Sequence, residues 1–332
     1  MSAPRLRLCA PGLLGPLPGS LPPGLLPQLP GLETWLGRGR RRALDPLPEP
    51  EASGPLAWLG EGGDPGARYW ARARPVHLHP EAGGVRLLPL ELEACEAARL
   101  ETDLADLLAE HGVTLHCAAS GRWYLATDTP LPPRPAAHAT SARFVESRLP
   151  RDRESLAWAA VFNEIEMVLA DHPINRDREA RGAWPVTGLW AWGSARLPEP
   201  PAVFPWQLVL SDDPAWQGVA RLVGREAAEL ACAGPPVPGD DTLLIVPWAQ
   251  EALDEGDGAG WVDAVARIEA AYAAPAVAGL QQADGDGRRW SRLELDPGLA
   301  GAGWVLERRS LWRLWRRRRP LRKWVRGAEA DG

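Results

Sequence analysis

The sequence predicts an α/β protein in which helices cover a mostly parallel sheet. Short apolar segments occur at 188–192, 206–210 and 243–246, and the last two are each followed by a segment with the apolar spacing of a helix. Strands that are apolar on both faces are typical of parallel sheets buried between helices. The chain has 332 residues, of which 45% are hydrophobic, so it is long enough for a large core or for a core with an inserted domain.

Each predicted element follows from its apolar spacing and from the residues that end it. A polar, proline-rich connector at 45–54 and a glycine-rich turn at 62–66 separate elements of the first half. Gly112 and Pro173 are expected to end the two longest helices. In chain order, the predictions are a strand at 6–10, a helix within 29–42, strands at 69–79 and 85–90, a helix at 92–110, a strand at 123–125, a helix at 153–170, strands at 188–192, 206–210 and 243–246, and helices at 213–223 and 261–274.

Cysteine spacing, hydropathy and charge exclude several classes of protein. The four cysteines form no Cys-x-x-Cys motif, which argues against a structural zinc site and a disulfide framework and fits a reducing compartment. No apolar run of about 18 residues is present, so no membrane span is predicted. Prolines interrupt the apolar stretch 8–29, so we expect no signal peptide and a cytoplasmic protein. The net charge of −6 gives no overall attraction to nucleic acid.

The C-terminal segment 308–326 differs from the rest of the chain in its charge. It contains ten basic residues, no acidic residue, and tryptophans at 312, 315 and 324. Three interpretations stay open for this segment. It is a solvated tail on an acidic body, a segment that binds an anionic membrane surface, or a segment that contacts nucleic acid.

Distinctive motifs occupy residues 162–198. FNE at 162–164 is followed by DHPINRDREARG at 171–182 and LWAWGSARLP at 189–198. Together they resemble the motifs of the archaeal-type, cofactor-independent phosphoglycerate mutases. Within that superfamily, GGDPGARYW at 62–70, PVHL at 75–78 and RWYL at 122–125 resemble the bacterial RpfE-type regulatory proteins. The resemblance covers about residues 5–320.

This resemblance implies an alkaline-phosphatase-like fold with an inserted, smaller α+β domain. The implied core comprises residues 1–74 and 186–305, and the implied insertion, which would bind substrate, comprises 75–185. Residues 306–332 form the basic tail.

The mutase mechanism of that superfamily uses two divalent metals and a Ser or Thr nucleophile. The family's first strand ends in a metal-binding Asp, but this position reads Cys9-Ala10 here, and no histidine occurs from 173 to 332. The metal half of the site is therefore expected to be reduced. The metal candidates are Asp254, Glu255 and Asp257, and the candidate nucleophile is Ser53. No cofactor is expected, although Mn²⁺, Zn²⁺ or Co²⁺ would be needed if the protein is an enzyme.

The predicted ligand-binding residues are His172, Asn175, Arg178, Arg181 and Arg72. Arginine offers a planar fork of donors that suits phosphate or carboxylate. The resemblance places the segment 172–181 at a domain interface that faces a cleft. A structural hinge held by hydrogen bonds is the alternative explanation of the same residues.

Three functional hypotheses follow. The favoured one is a catalytically degenerate phosphoglycerate-mutase-like protein that acts as a regulatory or metabolite-sensing module for a phosphorylated or carboxylated metabolite. The second is an active metal-dependent mutase or phosphatase with a reduced metal site. The third is a structural interaction protein whose basic tail binds an anionic partner, either a membrane or nucleic acid.

Overall fold

A computed structural model describes residues 4–17, 26–47, 52–81, 84–136, 144–145, 153–299, 301–312 and 319–325. Part of the basic tail, including Trp315, and part of the proline-rich connector lie outside the described residues. The chain divides into two compact units. Unit 1 comprises Met1–Pro48, Pro201–Asp212 and Val223–Gly332, and unit 2 comprises Glu49–Pro200 and Asp213–Leu222.

Strands and helices are both distributed along the whole of the described chain. The strands are β1 (Arg5–Cys9), β2 (Arg40–Ala43), β3 (Tyr69–Glu81), β4 (Gly84–Pro89), β5 (Thr114–Cys117), β6 (Trp123–Thr127), β7 (Phe144–Val145), β8 (Gly188–Ala195), β9 (Leu208–Leu210), β10 (Glu226–Ala228), β11 (Thr242–Ile245), β12 (Arg292–Leu299) and β13 (Ala302–Glu307). The α-helices are α1 (Pro30–Arg38), α2 (Ser53–Gly60), α3 (Ala94–Glu110), α4 (Arg153–Ala170), α5 (Pro173–Ala180), α6 (Pro214–Leu222), α7 (Leu230–Ala233), α8 (Trp248–Asp254), α9 (Gly258–Ile268), α10 (Ala274–Gln281) and α11 (Arg308–Leu311). A π-helical turn (Glu269–Ala273) joins α9 to α10, and a 3-10 turn covers Leu321–Lys323.

Unit 1 is built on a mostly parallel sheet. Within its described residues, seven strands run in the order β10-β9-β11-β1-β12-β13-β2. The five strands from β10 to β12 are parallel, whereas β13 and β2 are antiparallel to their neighbours. On β1, Leu6 and Leu8 join the buried cluster that contains Trp261 of α9. The buried Arg7 alternates with them and pairs with Glu294 of β12 at 2.6 Å.

Unit 2 is built on an antiparallel sheet and is nearly as long as unit 1. Six described strands form this sheet, in the order β5-β6-β3-β4-β7 with β8 also paired to β3. Ala71 and Ala73 of β3 pack in one buried cluster with Leu104 of α3 and Ile165 of α4. The predicted class is therefore confirmed: a mostly parallel α/β sheet with helices, together with an α+β domain.

Several elements and boundaries differ from the sequence predictions. Pro173 ends α4 but also begins α5, because proline fits the first turn of a helix, where its missing N–H is not needed. Residues 40–43 form a strand, and the predicted connector overlaps α2. The domain boundaries predicted at 74/75 and 185/186 both fall inside unit 2, since β3 runs unbroken through the first of them. The described part of the tail belongs to unit 1.

A helix that crosses a bilayer needs about 20 predominantly apolar residues. Within the described ranges, no helix is both long enough and apolar enough to cross a membrane.

Candidate functional site

The first strand of the parallel sheet ends at Cys9, where the resemblance implies a metal-binding aspartate. Cys9 lies opposite Asp296 of β12 in the sheet register. Burial raises the pKa of the Cys9 thiol well above its ordinary value, and Asp296 raises it further, against the opposing effect of Arg7. Metals bind the thiolate rather than the thiol, so this protonated group is not a ready metal ligand.

Among the metal candidates, Asp254 is the last residue of α8, and Glu255 and Asp257 lie between α8 and α9. Asp254 Oδ1 accepts a hydrogen bond from Gln250 Nε2 at 2.8 Å, within α8. Asp257 Oδ1 accepts from two backbone N–H groups in the first turn of α9, at 3.0 and 2.9 Å, and so caps that helix. Glu255 is exposed. Across the described ranges, no three His, Cys, Asp or Glu side chains are grouped so that they could hold a metal ion.

The candidate nucleophile Ser53 is the first residue of α2 in unit 2. Its hydroxyl lies directly against Gly193 of β8, because a Cβ built on that glycine would be 1.9 Å from Ser53 Oγ. Gly193 also has a positive φ of 66°, so both the backbone conformation and the close approach require glycine. In the described part of the chain, no histidine or carboxylate forms a hydrogen bond with Ser53 Oγ that could activate it.

The predicted ligand residue Arg72 lies on β3, opposite Trp192 of β8 in the register. Its Nη1 donates to Asp213 Oδ1 at 2.9 Å, and its guanidinium carbon is 5.3 Å from the centre of the Trp192 ring. Asp213 Oδ1 also accepts from the N–H of Ala215 at the start of α6. Arg72 and Ser53 therefore flank the same two residues of β8, Trp192 and Gly193.

Tyr124 of β6 pairs with Arg72 on the other side of β3. Its hydroxyl donates to Glu61 Oε1 at 3.2 Å. Burial raises the pKa of Tyr124 well above its ordinary value, Glu61 raises it further, and Arg72 offsets only part of this. The phenol stays protonated at neutral pH and acts as a hydrogen-bond donor rather than as a base.

His172 and Asn175 are both buried at the junction between α4 and α5. His172 is the N-cap of α5: its Nδ1 accepts from the N–H of Ile174 at 3.3 Å, and its Nε2 lies 2.8 Å from Asp103 Oδ2. Asn175 Nδ2 donates to the carbonyls of Leu169 and Val186, at 2.6 and 2.8 Å. These contacts connect the end of α4, the start of α5 and the segment that precedes β8.

Arg178 and Arg181 share one carboxylate, that of Glu96 on α3. Arg178 Nη1 is 2.7 Å from Glu96 Oε2, and Arg181 Nη2 is 2.6 Å from Glu96 Oε1. Arg178 is buried and also donates through Nε to the carbonyl of Trp184 at 2.7 Å, whereas Arg181 is exposed and reaches Glu93 as well.

The structure thus divides the predicted ligand residues into two groups. His172, Asn175, Arg178 and Arg181 lie together along α5, while no hydrogen bond or ring contact of Arg72 in the described residues reaches that segment. Their partners Asp213 and Glu96 were not predicted from the sequence. Neither has a local signal, because Asp213 is separated from Arg72 by 141 positions and Glu96 from Arg178 by 82.

Comparisons with known proteins give little beyond the architecture. No family model and no curated protein matches the chain. Among solved structures, the chain is similar to the cofactor-independent phosphoglycerate mutase from Thermoplasma acidophilum DSM 1728, with a TM-score of 0.34 and 16% identity over 91% of this chain and 89% of that one. It is also similar to the PH0037 protein from Pyrococcus horikoshii, with a TM-score of 0.45 and 15% identity over 81% of this chain and 77% of that one. At these values the likeness is one of general architecture, and no activity follows from it.

Proposed function

We propose that this chain is a phosphoglycerate-mutase-like regulatory protein of the RpfE type, which binds a phosphorylated or carboxylated metabolite and does not transfer phosphoryl groups. The observation that carries the proposal is the buried Cys9 at the end of the first parallel strand. A neutral thiol stands where two-metal chemistry requires a charged carboxylate.

The surroundings of Ser53 support the same conclusion. A serine hydroxyl is a weak nucleophile until a neighbouring base or a metal ion activates it. Ser53 Oγ instead lies against the backbone of Gly193, while Asp254 accepts a hydrogen bond within α8 and Asp257 caps α9. The surroundings of Ser53, Asp254 and Asp257 therefore suit the binding of a ligand better than the transfer of a phosphoryl group.

Arg72 is the best-placed residue to receive the anionic group of a metabolite. Only one of its nitrogen atoms, Nη1, donates to another side chain in the described residues, so the rest of the guanidinium fork stays available. Its guanidinium lies over the Trp192 ring, and the Ser53 hydroxyl lies against Gly193, the residue that follows Trp192 on β8. By contrast, Asn175 and Arg178 are buried and occupied by carbonyl groups and by Glu96, so we assign them a structural role.

The first experiment is an assay of mutase and phosphatase activity with Mn²⁺, Co²⁺ or Zn²⁺ added to the purified chain. We expect no metal-dependent turnover with 3-phosphoglycerate or with a general phosphatase substrate. Metal-dependent turnover that is lost in Asp254→Ala would overturn the proposal in favour of an active enzyme with a reduced metal site.

The second experiment measures the thermal shift produced by 3-phosphoglycerate. Arg72→Gln should abolish the shift. Arg74→Gln is a matched control, because Arg74 lies on the same strand and face and is bonded to Glu91 much as Arg72 is to Asp213. No shift in the unaltered protein, or an equal shift in the Arg72→Gln variant, would contradict binding at this position.

A further inference from the structure

Two basic segments that are remote in sequence meet at one edge of the sheet in unit 1. The first is β2, the last strand of the sheet, whose Arg40, Arg41 and Arg42 are all exposed. Arg38 precedes them at the end of α1. Charged residues on an edge strand commonly prevent pairing with other strands, and that explanation accounts for β2 taken alone.

The second basic segment follows β13, the neighbour of β2. Arg40 lies opposite Val305 in the antiparallel register, so the end of β13 is beside the start of β2. Helix α11 continues from that point with Arg308 and Arg309. Arg38 Nη1 donates to the carbonyl of Leu311 at 2.9 Å, which fixes α11 against the end of α1.

Contacts between aromatic rings hold residues 319–325 of the tail at the same edge of the sheet. The guanidinium carbon of Arg41 is 5.7 Å from the ring centre of Trp304 on β13. Trp324 contacts the same Trp304 ring edge-on, at 5.9 Å between centres. Residues 319–325 are thereby held near β2. We name as the basic edge the nine residues Arg38, Arg40, Arg41, Arg42, Arg308, Arg309, Arg319, Arg322 and Lys323.

The basic edge has the opposite charge from the rest of the protein. In the segments 38–43, 307–312 and 319–325, Glu307 is the single acidic residue, and it is bonded to Arg309. The whole chain nevertheless has a net charge of −6. Such a distribution orients a molecule towards a polyanion at this edge and repels the polyanion elsewhere.

We propose that the basic edge binds the surface of an anionic lipid bilayer. Trp312 directly follows α11 and is 74% exposed, beside Arg308 and Arg309. A tryptophan ring among basic residues suits the headgroup region, where the ring leaves water while the cations meet lipid phosphates. Binding of this kind takes place at the level of the lipid headgroups and is peripheral.

The aromatic residues favour a bilayer over a nucleic acid. Single-stranded nucleic acids stack successive bases on a series of exposed rings. Among the described residues of the basic edge and its neighbours, Trp304 is buried, and Trp324 is half-buried against it. Trp312 alone presents an exposed ring there, which gives one anchor rather than a stacking series.

The test is co-sedimentation of the full chain with vesicles of phosphatidylcholine, with and without phosphatidylserine. We expect binding only when phosphatidylserine is present, at low salt, with loss of binding at high salt because exposed charges are screened. The double variant Arg40→Gln/Arg42→Gln should weaken binding about tenfold or more. Trp312→Ser should weaken it severalfold at unchanged charge.

A matched control removes the same charge elsewhere in unit 1. Arg225→Gln/Arg288→Gln alters two exposed arginines outside the basic edge, and its binding should stay within about twofold of the unaltered protein. Far-UV circular dichroism verifies that all variants are folded. No binding to phosphatidylserine vesicles, or equal losses in both double variants, would overturn the proposal. Tighter binding to short DNA or RNA than to vesicles at the same salt would replace the bilayer with a nucleic acid.

Discussion

The side-chain amide of Asn175 pairs with the backbone of Val186 much as a neighbouring strand would. The N–H of Val186 donates to Asn175 Oδ1 at 2.7 Å, and Asn175 Nδ2 donates to the Val186 carbonyl at 2.8 Å. The same Nδ2 donates to the carbonyl of Leu169 at 2.6 Å. One buried side chain therefore satisfies three backbone groups, two on Val186 and one on Leu169.

Asn175→Ala should destabilise unit 2 by about 3 kcal/mol or more, because each of the three buried backbone groups left without a partner costs about 1–3 kcal/mol. Hydrogen exchange measured by mass spectrometry should show the loss of protection in peptides that cover 173–190. Asn163→Ala, at an exposed position of α4, is the control and should change stability by less than about 0.5 kcal/mol. Equal protection in both variants would contradict the structural role of Asn175.

The Glu96 carboxylate gives a second prediction, which concerns pH. Burial raises the pKa of Glu96, but the backbone N–H of Glu93 and the cations Arg178 and Arg181 together outweigh it and leave the pKa below its ordinary value. A carboxyl whose folded pKa is lowered stabilises the fold fully above its unfolded pKa of about 4.3. That contribution is lost as the pH falls through the lower, folded value.

The temperature at the midpoint of thermal unfolding should therefore decrease as the pH is lowered from 6 to 3. Glu96→Gln should make this decrease smaller. Glu110→Gln, at the exposed end of the same helix, should leave the slope unchanged. Arg178→Met should cost about 3–5 kcal/mol, because removing one partner of a buried ion pair leaves the other charge uncompensated. Arg181 is exposed, so its replacement by Met should have a smaller effect. Parallel pH curves for Glu96→Gln and the unaltered protein would argue against this ion-pair cluster.

How much of this could be predicted from the sequence depends on whether an element is defined locally. The bounds of α4, Arg153–Ala170, were predicted to the residue because the apolar spacing is clear and a proline ends the helix. β2 was missed because its sequence, RRRA, contains no large apolar residue, and only pairing with β13 makes it a strand. α2 was missed because Gly54 and Pro55 are typical of a turn. The glycine instead allows close approach to β3, since a Cβ on it would be 2.0 Å from the Trp70 carbonyl.

The site residues show the same limit. Sequence motifs selected His172, Asn175, Arg178 and Arg181, and the structure does bring these four together. Their partners could not be predicted, because Glu96 and Val186 are identified only once α3, α5 and β8 are packed. Without the partners, a ligand-binding arginine and a structural one have the same appearance in the sequence.

Cysteine reactivity tests the environment of Cys9 directly. Burial and Asp296 raise the pKa of Cys9 well above its ordinary value, and burial together with Glu101 raises the pKa of Cys117 to about 12. Cys95 and Cys232 are exposed. Because the thiolate is the reactive form, iodoacetamide at pH 8 should label Cys95 and Cys232 much faster than Cys117 and Cys9. Labelling of all four in urea provides the control. Rapid labelling of Cys9 in the folded protein would contradict the neutral, buried thiol on which the proposed function depends.

The start of α1 gives the last prediction, in unit 1. Both oxygens of Glu269, in the π-helical turn, accept hydrogen bonds from this helix: Oε1 from the N–H of Gly31 at 2.6 Å and Oε2 from the N–H of Leu32 at 2.8 Å. A carboxylate at a helix N-terminus also interacts favourably with the helix dipole. Gly31 permits this contact, since a Cβ there would be 2.6 Å from the backbone nitrogen of Ala274.

Glu269→Gln keeps the shape of the side chain but turns an NH₂ group towards one of the two N–H donors. We expect a loss of about 1–3 kcal/mol in urea unfolding, from the lost charge and one unsatisfied buried donor. Glu255→Gln, at an exposed position of the same unit, should be nearly neutral.

Gly31→Ala should be destabilising for a separate reason, the steric contact with Ala274. In Gly31→Ala the helix start is already displaced, so a further Glu269→Gln change should cost less than in the unaltered chain. Strict additivity of the two changes would show that Glu269 does not act through the N-terminus of α1.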